Sequence, residues 1–319
     1  MSRLSRRAAL ATLALPMLAH AQEARPLRLV VPFAAGGSTD VLARVFGERI
    51  AAQLGQQVVV ENRAGGAGAV GSAVVAQAPP DGNTLLLGTI GTHAVNGLLT
   101  ASLPYDAVAD FTPITLLATL PNVLVVNPAL PVQTVAELVA HVRARPGQLA
   151  FSSPGNGTAA HLAGELFRSA LGVDIAHAPY RGSAPLLTDV IGGQVTMAFD
   201  YSASSLPHIR GGRLRALAVT SDARTDALPA VPTMLESGFA GVRVTTWYGI
   251  FAPRGLPAAL VARLHGAFVA AAQDATLRAR LAELSVTPVV GTPAALAQFQ
   301  REEIARWGAL VRSARITAE

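Results

Sequence analysis

The sequence contains no cysteine and no lysine. Without cysteine the chain forms no disulfide, offers no thiolate to a substrate or a metal, and carries no lipid-modified cysteine after a leader. Without lysine, Schiff-base and serine–lysine mechanisms are excluded. The 25 basic residues are therefore all arginines. These two absences remove several classes of enzyme before any motif is considered.

The N-terminus has the pattern of an export signal. Arg3, Arg6 and Arg7 precede an apolar run over residues 8–19, which is shorter than the ~18 apolar residues that span a bilayer. An A-x-A cleavage site follows and ends at Ala21. We therefore predict a signal peptide over residues 1–21 and a periplasmic mature chain. The arginine pair fits a twin-arginine leader as well as a Sec leader, and a buried N-terminal helix is the weaker alternative.

The charge of the chain argues against nucleic acid or an anionic membrane as partner. The net charge is +5, but three of the 25 basic residues belong to the predicted signal, which leaves 22 basic and 20 acidic residues. No basic run remains that would form a charged stripe on one face. A hydrophobic fraction of 51% is enough for a large core, and a chain of this length usually divides into two domains.

Short β-branched runs alternate with helical patterns in the first part of the chain. The predicted strands are residues 27–31, 58–61 and 84–87, and the predicted helices are residues 41–54 and 70–77. This βαβαβ order predicts a parallel sheet with right-handed crossovers.

A second α/β series follows. The predicted strands are residues 123–126, 149–152, 175–178, 195–199 and 214–220, and the predicted helices are residues 134–143, 159–171 and 184–191. The chain is therefore predicted to hold two α/β lobes.

The last part of the chain has a different pattern. Residues 244–251 are strand-like, residues 257–273 repeat apolar side chains at helical spacing, and Thr292 with Pro293 begins a final helix. Helices without a sheet of their own must pack on an existing lobe, and we assign them to the first.

This assignment divides the mature chain into an outer and an inserted lobe. We predict that residues 22–122 plus 243–319 form lobe 1 and that residues 123–242 form lobe 2. The chain then crosses between the lobes twice, and two crossings make a hinge with a ligand cleft beside it.

A glycine-rich turn leads from the first predicted strand into a helix. It contains Phe33, Gly36, Gly37, Ser38, Thr39 and Asp40. Glycines let backbone N–H groups approach a ligand, and a helix N-terminus favours negative charge, so the pattern indicates an anion site. The alternative is that a polar side chain of this turn only caps the helix.

A similar turn occurs in the second lobe. The strand ending at Ser152 leads into Ser153, then through Gly157 and Thr158 into a helix that carries His161. Two such turns, one from each lobe, would hold one carboxylate each or clamp one between them. His161 would donate to the ligand, with capping or support of the turn as the alternative.

Three further segments supply polar groups after predicted strands. Thr89 and Thr92 follow the third strand, where ligands bind in open α/β sheets, with a plain polar loop as the alternative. In the segment of Tyr180 and Arg181, the arginine lies either at the ligand cleft or on the solvated surface. Asp200 is positioned to receive a hydroxyl or amino group of the ligand.

Nucleotide binding and catalysis are poorly supported. Gly66 to Gly71 form a literal G-x-G-x-x-G, but it follows the second strand and lacks an acidic residue about 20 positions later. The chain has no G-x-S-x-G elbow and no H-E-x-x-H, and its mature histidines show no metal-ligand spacing. Ser153 and His161 lie in one turn without a third group to orient the base. We predict no enzyme activity, no cofactor and no metal.

Ordered matches along nearly the whole chain resemble the substrate-binding receptors of tripartite tricarboxylate transporters, the Bug family. The matches include residues 36–40, 61–63, 65–71, 80–84, 155–158, 161–165, 180–182, 192–195 and 214–219, together with Ser153 and Asp200. The resemblance implies a two-lobed periplasmic binding protein fold of the Venus-flytrap, type II-like kind with two chain crossings at the hinge.

The family resemblance also implies a function and a set of contacts. The implied function is the capture of a small carboxylate by a monomeric receptor that delivers it to a membrane permease. A periplasmic sensor subunit that signals to a membrane kinase is the alternative. The first carboxylate would meet the turn from Phe33 to Asp40. The rest of the ligand would meet Thr89, Thr92, Ser153, Gly157, Thr158, His161, Tyr180 and Asp200.

Overall fold

The computed structural model describes residues 25–100 and 102–314. The predicted signal peptide over residues 1–21 lies outside the described residues. None of the helices in the described ranges is both long and apolar enough to cross a membrane.

Strands and helices alternate through most of the fold. The strands are β1 (Leu27–Val31), β2 (Val58–Asn62), β3 (Thr84–Thr89), β4 (Phe111–Val126), β5 (Ala150–Ser153), β6 (Ala176–Pro179), β7 (Met197–Tyr201), β8 (Arg215–Val219), β9 (Thr245–Pro253) and β10 (Thr287–Pro288). The helices are α1 (Ser38–Leu54), α2 (Ala69–Ala76), α3 (Asn96–Leu99), α4 (Val135–Arg143), α5 (Ala159–Leu171), α6 (Ser183–Ile191), α7 (Ser202–Arg210), α8 (Ala258–Gln273), α9 (Ala275–Glu283) and α10 (Pro293–Ala314). A 3₁₀ turn at Gly66–Gly68 precedes α2, and a π-helical turn at Gly91–Val95 precedes α3.

The strands form two groups that share one long strand. In the first group β1 lies between β2 and β3 in parallel, and β9 then joins β3 and β4 in antiparallel pairs. In the second group β5 lies between β6 and β7 in parallel, while β7 and β8 pair with β4 in antiparallel. The predicted βαβαβ unit of parallel strands at the start of the chain is confirmed.

Strand β4 connects the two groups. It is 16 residues long, and its pairing partner changes from β9 to β7 between Pro121 and Asn122. The sequence pattern predicted a strand only over residues 123–126. The earlier part of β4 contains Pro113 and Pro121, which have no N–H group to donate to the hydrogen bonds between strands. Register shifts near Pro113 and Leu116 allow this part of β4 to pair with β9.

The chain returns to the first group just before β9, at the same point where β4 leaves it. The Asn122 amide donates to the Val244 carbonyl at 3.0 Å and to Thr220 Oγ1 at 3.3 Å. The Thr246 hydroxyl donates back to Asn122 Oδ1 at 2.8 Å. All three polar side chains are buried, so the two crossings are joined by a hydrogen-bonded network.

The C-terminal helices pack on the first group of strands. Helix α8 lies against α1, and α10 lies against β4 and the helical segment after β3. The buried carboxylate of Glu303 in α10 accepts hydrogen bonds from the indole N–H groups of Trp247 at 2.9 Å and Trp307 at 2.8 Å. The bond from Trp247 attaches α10 to β9, whereas the bond from Trp307 lies within α10.

The segment after β3 is a buried helical turn and not a polar loop. Thr89, Thr92 and His93 are all at most 5% exposed. The His93 ring stacks on Phe251 with centroids 3.8 Å apart, and burial lowers the pKa of His93 to about 3. A neutral imidazole in this aromatic cluster is part of the core.

Candidate functional site

The N-termini of three helices meet at one small cavity between the two strand groups. The cavity is narrow, since the space open to a water-sized molecule is about 10 Å³. The lining residues are Phe33, Ala34, Gly37, Ser38, Thr39, Pro154, Gly182, Ser183 and Tyr201. Helix α1 comes from the first part of the chain, whereas α6 and α7 come from the second. Among these lining residues none is charged.

These three helix starts share a second property. Their N-cap residues are Gly37, Gly182 and Tyr201, and at none of them does a side chain cap the helix. By contrast, α5 lies outside the cavity lining and is capped by Thr158, whose Oγ1 accepts from the His161 N–H at 3.2 Å. The first turns that face the cavity therefore keep backbone N–H groups for an external acceptor.

Glycines bring the two sides of the cavity together. A Cβ placed on Gly37 would lie 3.9 Å from Ser183 Cβ, and one placed on Gly182 would lie 3.4 Å from Ala34 Cβ. A further contact joins Gly91 to the Gly157 carbonyl, which would be 3.2 Å from a Cβ on Gly91. The two halves of the chain are therefore in contact beside the cavity and at the Gly91–Gly157 position.

Asp40 shapes the first turn from behind. Its carboxylate accepts from the Gly36 N–H at 3.0 Å and forms an ion pair with Arg44 at 3.0 Å. Burial alone would raise the pKa of Asp40, but the hydrogen bonds from Arg44 and Gly36 outweigh it and hold the pKa below its usual value. Gly36 has a φ of +83°, which a residue with a side chain rarely adopts. The buried carboxylate of Asp40 therefore stabilises the conformation of the predicted anion-binding turn.

Ser38 is tied to the strand below it. Its Oγ lies 2.7 Å from the hydroxyl of Tyr248, a fully buried residue of β9. Burial raises the pKa of the Tyr248 phenol, so it stays neutral. This bond fixes the first residue of α1 to the sheet.

The second predicted turn supports the cavity more than it lines it. Of residues 153–158, Pro154 lines the small cavity. Ser153 Oγ lies 2.8 Å from His177 Nε2, and the Pro154 carbonyl accepts from the Gly182 N–H at 2.8 Å. Burial is the main cause that lowers the pKa of His177 to about 3. Through these contacts the turn positions the start of α6.

Both ring nitrogens of His161 are directed at the protein. Nδ1 accepts from the Gly157 N–H at 3.0 Å, so the N–H of the ring is at Nε2. Nε2 lies 3.6 Å from Glu165 Oε1. The ring is 3% exposed and stacks on His177 with centroids 4.1 Å apart. These contacts are those of a side chain that supports the turn, an alternative that the sequence left open beside ligand donation.

Thr89 and Thr92 also lie behind the cavity. The Thr89 N–H donates to Thr92 Oγ1 at 2.9 Å, and Thr92 Oγ1 lies 2.9 Å from His93 Nδ1. A Cβ on Gly68 would lie 2.6 Å from the Thr92 methyl group. Thr92 therefore packs closely against the glycine-rich segment that precedes α2.

A larger cavity opens next to the small one. It offers about 440 Å³ to a water-sized molecule and shares Phe33 and Pro154 with the small cavity. Its lining also includes residues 64–68 of the G-x-G-x-x-G segment, Tyr180 and Arg181. The Tyr180 hydroxyl donates to Asp189 at 2.7 Å, whereas Arg181 is exposed. The predicted cleft arginine thus lies in the opening of the cavity.

Asp200 is fully buried and does not line either cavity. Its carboxylate accepts from the hydroxyls of Ser183 and Ser204, each at 2.6 Å, and of Ser205 at 2.8 Å. Burial raises the pKa of Asp200, and the three hydroxyls oppose that effect.

Sequence reasoning missed several residues of the cavity wall. Gly182 and Ser183 stand between a strand and a helix, which is the same signal that selected the first turn. Ser183 stands directly before the predicted helix over residues 184–191. Tyr201 had no such signal, because α7 is rich in serine and contains Pro207.

The fold and the cavity define a class of protein. Two groups of strands joined by two crossings, with helix N-termini facing a cleft, form the two-lobed, type II-like arrangement of periplasmic binding proteins, and this prediction is confirmed by comparison with solved structures. A Rhodopseudomonas palustris protein solved with adipate has a TM-score of 0.89 and 38% identity, over 92% of this chain and 98% of its own. The periplasmic binding protein BugD has a TM-score of 0.88 and 34% identity, over the same shares.

The chain belongs to the tripartite tricarboxylate transporter receptor family. The family model matches residues 42–316. The chain is also 39% identical to the protein BugT of Bordetella pertussis over 305 residues, which cover 95% of this chain and 94% of BugT. The predicted family is confirmed.

Proposed function

We propose that this chain is a solute-binding receptor that closes its two lobes on a small organic acid and holds one carboxylate at the small cavity. One observation carries the proposal: three helix starts without side-chain caps, contributed from both halves of the chain, meet there. Each helix N-terminus contributes roughly half a positive charge. Three of them attract an anion without the desolvation cost of a buried arginine.

The rest of the ligand occupies the larger cavity. Arg181 lies at the opening of this cavity, and it supplies the formal positive charge nearest to a second acidic group of the ligand. The relative solved with adipate, a dicarboxylate, supports this arrangement. A second carboxylate beside Arg181 would remain partly hydrated, so selectivity for it is weaker than for the first.

The lobes of this receptor are residues 22–122 plus 243–319 and residues 123–242. The change of pairing partner at Asn122 and the return at Val244 support these limits. The hinge is the hydrogen-bonded network at these two crossings. Residues Ser153, Gly157, Thr158, His161, Thr89, Thr92 and Asp200 position the walls, and residues 33–39, Tyr180 and Arg181 face the ligand.

The receptor works outside the cytoplasm. We place it in the periplasm after removal of residues 1–21, as a monomer that passes its ligand unchanged to the permease of its transporter. The family description names a transporter receptor, which supports this role over a sensor subunit for a membrane kinase. The cavity lining offers no charged group as acid or base, in line with binding without turnover.

A thermal-shift screen tests the proposal. The mature chain is first unfolded and refolded to remove copurified ligand, then heated with mono-, di- and tricarboxylates, amino acids and neutral sugars. A bound acid should add about 2.7 kcal/mol of stability at a hundredfold excess over its Kd. We expect stabilisation by one class of acid and none by the sugars. Stabilisation by a neutral solute alone would contradict the proposal.

A further inference from the structure

The hydrogen bonds of Asp200 determine what Ser183 can offer to a ligand. Ser183 is the first residue of α6 and lines the small cavity, and its Oγ lies 2.6 Å from Asp200 Oδ1. A hydroxyl group has one proton and two lone pairs. Because the carboxylate takes the proton of Ser183, the hydroxyl oxygen is left with acceptor capacity towards the cavity.

The backbone of the same residue has the opposite character. The Ser183 N–H belongs to the first turn of α6, which has no side-chain cap, and it is a hydrogen-bond donor. Donor and acceptor of one residue are separated by only three covalent bonds. A ligand that places its carboxylate on the N–H therefore brings the substituent of the neighbouring carbon close to the hydroxyl oxygen.

We infer that the Asp200–Ser183 pair makes this receptor prefer acids with a hydroxyl or amino group on the carbon next to the carboxylate. The inference rests on the proposed function and deepens it by naming the substituent. Ser183 contacts the ligand, whereas Asp200 is a positioning residue that acts through it. The direct contact between Asp200 and the ligand, predicted from the sequence, is replaced by this indirect one, because Asp200 is 0% exposed.

Asp200 connects the starts of two helices, α6 and α7. Ser183 begins α6, while Ser204 and Ser205 lie in the first turn of α7, and all three donate to the same carboxylate. Tyr201, the N-cap of α7, lines the small cavity beside Ser183. The carboxylate therefore orients two of the three helix starts that face the ligand.

The test compares acids that differ in one substituent. Isothermal titration measures the Kd of the refolded mature chain for three pairs: propionate and lactate, succinate and malate, and glutarate and 2-hydroxyglutarate. In the pair that binds best, we expect the hydroxy acid to bind at least about fivefold more tightly, the effect of one net hydrogen bond. Aspartate or glutamate of the matching length should share the preference.

Two variants assign the preference to this pair of residues. Ser183→Ala should bind both acids of the pair with nearly equal Kd, since it loses the hydroxyl acceptor and keeps the backbone N–H. Asp200→Asn should also reduce the preference, because an amide N–H₂ donates to Ser183 and turns its proton towards the cavity. The matched control is Ser204→Ala, which removes a hydroxyl from the same carboxylate at a residue that does not line the cavity.

The possible results separate the two claims. If both acids of a pair bind wild-type protein equally, the inference is overturned while the proposed receptor function stands. If the preference exists but survives in Ser183→Ala, another group recognises the substituent and the inference is wrong. If none of these acids binds, the inference is overturned, and the thermal-shift screen with its wider set of acids decides the proposed function. Wild-type titration alone decides the first case, so the test does not depend on the folding of any variant.

Discussion

The Gly37→Val variant should bind its acid about 100-fold more weakly than the wild type, a loss of about 2.7 kcal/mol. Gly37 is the N-cap of α1 and faces Ser183 across the small cavity. Its φ of −82° and ψ of 172° suit a β-branched residue, so valine fits the backbone. The added methyl groups would occupy the space of the carboxylate and keep the N-termini of α1 and α6 apart.

Gly37→Ala is the matched control for this prediction. A Cβ at this position would have its nearest neighbour, the Ala34 carbonyl oxygen, at 3.7 Å, which is an ordinary contact. We expect less than a tenfold loss of affinity for alanine, and for both variants a melting temperature without ligand close to that of the wild type. Calorimetric titration measures the affinities. Wild-type affinity in Gly37→Val would show that the carboxylate binds elsewhere.

The Gly164→Ala variant should lose about 3 kcal/mol of stability, near the upper end of the usual cost of overpacking. Gly164 lies in α5, and a Cβ on it would be 2.0 Å from a ring carbon of Phe151 on β5. Phe151 is fully buried, so its ring has no free space to occupy. The glycine is what allows α5 to lie directly on the sheet beneath the turn that positions α6.

The matched control is Gly266→Ala on the exposed side of α8. A Cβ on Gly266 would have no neighbour within 4 Å, so alanine should stabilise the helix by about 0.5–1 kcal/mol. Chemical denaturation followed by circular dichroism measures both changes. An unaltered or raised stability in Gly164→Ala would contradict the packing described for α5 and β5.

Elements with a strong local pattern were predicted closely. Strand β1 and helix α5 have the predicted limits, because an apolar run and a helical repeat with glycine at its end are local signals. Helix α7 was not predicted, because hydrogen bonds of its serine side chains to residues outside the helix stabilise it. Its serines bond to Asp200 or, for Ser202, to the Leu284 carbonyl at 3.1 Å, and such partners are not visible in a sequence window.

The candidate site was predicted in outline and assigned differently in detail. The turn from Phe33 to Asp40 shows strand, glycines and helix in order, and it lines the cavity. For His161 and Asp200 the sequence identified chemically suitable side chains, but only the packing reveals that their polar atoms are directed at Gly157 and at three serines. A sequence shows which polar side chains are present. Their burial and hydrogen bonds in the folded chain determine which of them contact a ligand.

The most direct test of the account is a calorimetric titration of the refolded mature chain with the dicarboxylate that stabilises it most and with the corresponding diamide. The two ligands have almost the same shape, but the amide carries no charge and presents donors to the helix N-termini. We expect the acid to bind at least about 100-fold more tightly, since charge-assisted bonds to three N-termini are lost in the diamide. Equal binding of the two would contradict the claim that helix N-termini recognise a carboxylate here.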